Sequence, residues 1–144
     1  MRSLSPNLGP VLAIGPATLS VDNAPVAIDL AGFNAAAILI AVGASGIAFD
    51  ATNKIEFVLK HGDTATLAEH TAVAPADVVD ATVAAGGIVK ALTAAHPAAD
   101  VTKLSYVGGK RFISVLADFS GTHGTGTPIC VAVVKGHPAN APVA

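Results

Sequence analysis

The stretch LSYVGGKRFISVLADFSGTHGTGTPICVAVVKGHP, residues 104–138, reads as three β-strands. Residues 104–107 and 110–119 flank Gly108-Gly109, and a Gly-Gly link tolerates the positive φ that two-residue hairpin turns demand. A hairpin is therefore predicted here. SGTHGTGTP is too rich in Gly and Thr to continue a strand, so it predicts a long hairpin loop with Thr hydroxyls bonding backbone groups. ICVAVV then restores branched side chains. Alternation sets Ile129, Val131 and Val133 on one face against Cys130, Ala132 and Val134 on the other. Both faces are apolar, which predicts a buried strand and a structural, unreactive Cys130.

Working outward, AAILIAV (36–42) has the same two-faced apolar character inside an uncharged run, residues 31–49. That run approaches the roughly 20 residues of a bilayer span. Gly32, Gly43, Gly46, Asn34 and Ser45, with no basic flank or aromatic belt, argue instead for a buried strand ended by a turn at GASG. PVAIDLAGF (25–33) alternates Val26, Ile28 and Leu30 against Ala27, Asp29 and Ala31, and residues 18–21 form a short strand before the Asp22-Asn23 turn. KIEFVLKH (54–61) sets Ile55, Phe57 and Leu59 against Glu56, Val58 and Lys60, with the charged face toward solvent. Residues 64–85 support a short helix that Pro75 must stop, and IVKAL (88–92) is a further strand.

Pro6, Pro10 and Pro16 predict an extended N-terminal arm over residues 1–16, since proline fixes φ and removes a backbone donor. One β-rich domain follows over residues 17–136, and KGHPANAPVA gives a C-terminal tail, residues 137–144. The expected fold is all-β, an antiparallel sandwich or barrel of about seven or eight strands, with at most one short helix and extended arms at both ends.

The 144 residues are 52% hydrophobic, 12% charged and 4% aromatic, with a formal net charge of −2. So little charge implies that much of the surface meets other protein. The eight Lys and Arg residues are dispersed, with only Lys110 and Arg111 adjacent, so no basic stripe exists for nucleic acid. A solvated hairpin edge accounts for that pair.

Catalytic and ligand motifs are thin. GTHGTGTP leads into a strand, not a helix, and carries no P-loop lysine, so it predicts no phosphate site. His61, His70, His96, His123 and His137 have no metal-ligand spacing, and His61 with Asp63 is the closest pair; no metal or cofactor is expected. Ser120 and His123 lie three apart without an orienting acid, and Asp118 is expected to pair with Arg111 or cap the following loop. An enzyme would need distant residues such as His61, Asp118 and His123 to converge, so none is expected.

SVDNAPVAIDLAGFNAAAILIAVG, TNKIEFVLKHGD and YVGGKRFISVLADFSGTHGTGTPICVAVVKGHP together resemble small virion proteins of tailed bacteriophages, chiefly head decoration (cement) and minor capsid proteins. The resemblance implies a subunit made in the host cytoplasm that binds the capsid exterior across joints between major capsid proteins and self-associates, often as trimers. It implies no membrane or direct nucleic-acid partner. Leu4, Leu8, Val11 and Leu12 are the expected apolar anchors on the capsid or a sister subunit. A tail tube or terminator subunit is the alternative reading. A host-carbohydrate module is another, but without Trp and with Tyr106 as its one Tyr the chain offers few stacking platforms.

Overall fold

Ten strands form two antiparallel sheets packed face to face in the computed structural model, which describes residues 3–140. Sheet 1 runs in the order β1 (Gly9–Leu19), β10 (Thr127–Pro138), β3 (Phe33–Val42), β8 (Asp100–Tyr106) and β6 (Val78–Val79). Sheet 2 runs β2 (Ile28–Asp29), β9 (Phe112–Ser120) and β4 (Lys54–Gly62), with β5 (Thr71–Ala72) and β7 (Ile88–Leu92) sharing the far edge of β4. The all-β sandwich is as the sequence predicts.

Its connectivity is not. Apart from β4 to β5, every strand is followed in sequence by one in the opposite sheet. Residues 104–119 are therefore no hairpin, because β8 pairs with β3 and β6 while β9 pairs with β2 and β4. Neither Gly108 nor Gly109 has positive φ. Gly108 is needed for space instead: a Cβ there would sit 2.5 Å from Tyr106 Oη and 2.6 Å from two ring carbons. The chain crosses between sheets by wrapping the Tyr106 ring, whose hydroxyl accepts a hydrogen bond from the Lys110 amide at 3.1 Å. SGTHGTGTP is likewise a crossing between β9 and β10, not a hairpin loop.

Period-two patterning builds the core between the sheets. Ile55, Phe57 and Leu59 of β4 meet Ile113, Val115 and Ala117 of β9, opposite Ile38 and Ile40 of β3, Leu104 of β8, and Val131 and Val133 of β10, all essentially inaccessible. Each fully buried aliphatic or aromatic side chain contributes about 1.5–3 kcal/mol. Residues 64–85 hold no α-helix; they form 3-10 turns at Leu67–Glu69 and Pro75–Asp77 around β5 and β6. Pro75 opens the second turn, where its missing N–H costs nothing.

The arm boundary at residue 16 also moves. Gly9–Leu19 is an edge strand along β10, broken by register shifts between Leu12 and Ile14 and between Ile14 and Ala17, with Ala13 and Ile14 buried. Pro10 and Pro16 are tolerated because an edge strand has one side free of ladder bonds. At the other end, β10 extends through Pro138, and Ala139 donates to the Gly32 carbonyl at 2.8 Å. Residues 141–144 of the expected tail lie outside the described residues.

Asp22 and Asn23 do more than turn the chain. Asn23 accepts from the Ala117 amide at 2.7 Å and donates to the Val115 carbonyl at 3.2 Å, while Asp22 accepts from the Phe119 amide at 2.7 Å. These side chains finish the β9 edge that two-residue β2 leaves open, satisfying backbone groups that would otherwise template another strand.

Candidate functional site

The two sheets differ in what they turn outward. Sheet 2 presents Lys54, Glu56, Lys60 and Asp118, and part of its outer face lies under the segment that carries His70. The outer face of sheet 1 is assembled from cross-strand rows of apolar side chains. One row is Cys130, Ala41 and Val101; the next is Leu12, Ala132, Leu39 and Lys103; a third is Pro10, Val134, Ala37, Ser105 and Val79. Val101 is 66% exposed, Leu12 53% and Val79 47%. Lys103 is the one charged side chain in these rows, and among the described residues no element covers them.

A shallow groove of about 420 Å³ opens at the Cys130 end, where Cys130, Ala41 and Gly43 lie low between Pro16, Val101 and Pro128. Cys130 is only partly buried, so the expectation of a buried side chain is corrected: β10 and β3 are apolar on both faces, yet a two-layer sandwich covers only one. A larger cleft, about 720 Å³, lies at the opposite end, between Phe33–Ala37 of β3 and the crossing at residues 107–111. Its two cations are occupied. Arg111 forms a fork with Asp29, Nε to Oδ1 at 2.9 Å and an NH2 group to Oδ2 at 2.7 Å, and Lys110 pairs with Asp63. The Arg111 hydrogen bond, helped by the Ala31 amide, holds Asp29 down at a pKa of about 2.

The predicted anchors do not converge. Leu4 is 68% exposed ahead of a 3-10 turn at Ser5–Asn7, and Leu8 packs toward Gly136 at the cleft. Val11 and Leu12 are consecutive on β1, and only Leu12 joins the outer rows. Sequence reasoning missed the rest of this face: Leu39, Val101, Ala132 and Val134. The signal was present in AAILIAV and ICVAVV, whose second apolar faces were assigned to burial inside the chain.

Ionisable groups sit in structural pairs. His61 Nδ1 lies 2.9 Å from Tyr106 Oη, and its Nε2 faces Asp77 Oδ2 at 4.0 Å, linking the two sheets. Burial raises the Tyr106 pKa, so the phenol keeps its proton. His70 Nδ1 meets Ser114 Oγ at 2.9 Å and its Nε2 meets the Thr64 carbonyl at 2.9 Å, with Ser114 and His70 both buried. No carboxylate orients that imidazole, and Gly62 must be glycine because a Cβ would lie 2.5 Å from its Cδ2. His123 Nε2 bonds the Ser120 carbonyl, not its hydroxyl, and the ring stacks edge-on to Phe119 at 4.8 Å. His61, Asp118 and His123 stay apart: the first meets Tyr106, the second lies across the ladder from Glu56, and the third is buried against Phe49 and Phe119. Asp118 does not pair with Arg111 either, since Asp29 holds that guanidinium. Among the described residues, no three His, Cys, Asp or Glu side chains gather as metal ligands. Among the described residues, no helix is long and apolar enough to cross a membrane.

No family model and no curated protein matches the chain. Among solved structures, that of infectious bursal disease virus Gx strain is similar at 13% identity and a TM-score of 0.28, over 89% of this chain and 39% of that one. This chain thus spans less than half of that one, and a likeness so slight carries no argument.

Proposed function

We propose that this protein is a non-enzymatic structural subunit of a virion, decorating a phage capsid from outside and stabilising it across joints between major capsid proteins. The observation that carries the assembly part is the outer face of sheet 1, a sheet-wide run of apolar side chains with one charge. Contiguous apolar patches beyond a few hundred Å² are uncommon on free-standing domains and mark contact surfaces. The virion part rests on the sequence resemblance. A decoration subunit works by mass action, since each copy bound across a joint lowers the free energy of the closed shell. Leu4 and Leu8 are the proposed capsid anchors, outside the folded ladder that begins at Gly9.

The test is co-sedimentation of purified protein with undecorated particles, followed by locating its density on them. Deletion of residues 1–8 leaves the strands intact and is expected to reduce occupancy at least tenfold. A cut extended beyond Leu8 would enter β1, which begins at Gly9. Density in the tail, or no binding by the intact chain, overturns the decoration reading.

A further inference from the structure

We infer that the outer face of sheet 1 is a self-association surface, and that its occupant is the same face of a second copy about a twofold axis. β3 and β10 are apolar on both sides, the pattern of strands with a layer above and below. The chain supplies one of those layers. A second sheet stacked at about 10 Å would supply the other, and the alanines at 35, 37, 41 and 132 keep the face low enough for such close stacking.

The relief of the face is self-complementary. Leu39 is the tallest apolar side chain at its centre, flanked by Ala37 and Ala41 along β3 and by Ala132 across the ladder. A twofold axis lying in the interface, parallel to the strands and midway between β10 and β3, places each Leu39 over the low Ala132 of the other copy. Such an isologous contact closes on itself. It makes dimers, not the trimers that the virion resemblance implies.

Charge agrees with that axis. Lys103 lies on β8, about one and a half strand spacings, or about 7 Å, to the side of an axis between β10 and β3. The two Lys103 side chains are then more than about 14 Å apart, beyond the screening length of about 8 Å at physiological salt. A strongly charged partner would find a single lysine on this face to pair with.

Size sets the strength. Four strands at about 4.8 Å and about eight residues at 3.4 Å give roughly 500 Å² per copy, or about 1,000 Å² for the pair. That is the lower limit of a specific interface, so the dimer is expected to dissociate in the micromolar range. The inference rests on the assembly reading of this face and not on the virion reading.

Sedimentation equilibrium on the full chain from about 1 to 500 µM is expected to show a monomer–dimer equilibrium. Leu39→Asp and Val101→Asp should each raise the dissociation constant at least about tenfold while far-UV circular dichroism stays unchanged. Val101, being exposed, keeps the test open should the Leu39 variant misfold. Cys130 is a built-in probe: a bismaleimide spanning about 8–13 Å should link the wild-type dimer through it and fail in Val101→Asp. A monomer at every concentration, a trimer, or a dimer indifferent to both substitutions overturns the inference. A monomer that still coats particles would sink this inference alone, and a Cys130-linked dimer that ignores particles would sink the virion reading alone.

Discussion

Replacing Gly108 and Gly109 one at a time by alanine separates the observed crossing from a hairpin. In the crossing, a Cβ on Gly108 meets three atoms of Tyr106 at 2.5–2.6 Å, whereas a Cβ on Gly109 meets nothing within 4 Å. The ring cannot step aside cheaply. Tyr106 is 5% exposed, and its hydroxyl is tied to the Lys110 amide at 3.1 Å and to His61 Nδ1 at 2.9 Å. An overlap of nearly an ångström with a pinned side chain is an overpacking event, which costs about 1–3 kcal/mol. For a domain of this size that lowers Tm by about 3–12 °C. Gly109→Ala is expected to be neutral or up to about 1 kcal/mol stabilising, because it only removes freedom from the unfolded chain.

A type I′ hairpin requires positive φ at both positions, so there both substitutions would cost about 1–2 kcal/mol each. Thermal and urea denaturation followed by circular dichroism read the difference directly. Equal destabilisation by the two variants refutes the crossing. So does a Gly108→Ala protein as stable as the wild type.

Core and surface positions of β3 should diverge by residue parity: Ile38→Ala is expected to cost about 2–5 kcal/mol in urea unfolding, and Leu39→Ala under about 1 in the monomer. Asn23→Ala strips two backbone partners from β9 and should cost about 1–3 kcal/mol, with hydrogen exchange quickening at Ala117 first. Asp29 has its pKa lowered in the fold, so its pairing adds stability above the unfolded value near 4 and loses it as pH falls toward about 2. Asp29→Asn should therefore lower stability modestly at pH 7, the exposed pair being screened, and flatten the acid limb of the profile below pH ~4, the two proteins converging toward pH ~2.

Period two was legible throughout, since residues 54–61 place Ile55, Phe57 and Leu59 inward as their spacing requires. Partner choice was not, because it is set by which sheet each strand joins, and here neighbours in sequence almost never share one. Gly108-Gly109 has the composition of a tight turn, yet its requirement is steric and arises from Tyr106, a residue whose place is fixed only once two sheets face each other. The Asp22-Asn23 clip is invisible for the same reason: its partners lie 92–97 residues away. The outer face of sheet 1 shows the limit most clearly. ICVAVV and AAILIAV announce that both faces of β10 and β3 need covering, but a sequence counts apolar faces without saying which chain covers them. One face is met by sheet 2. The other is the residue of that count, and an apolar surface left over after a fold has closed is the physical reason to look for a partner.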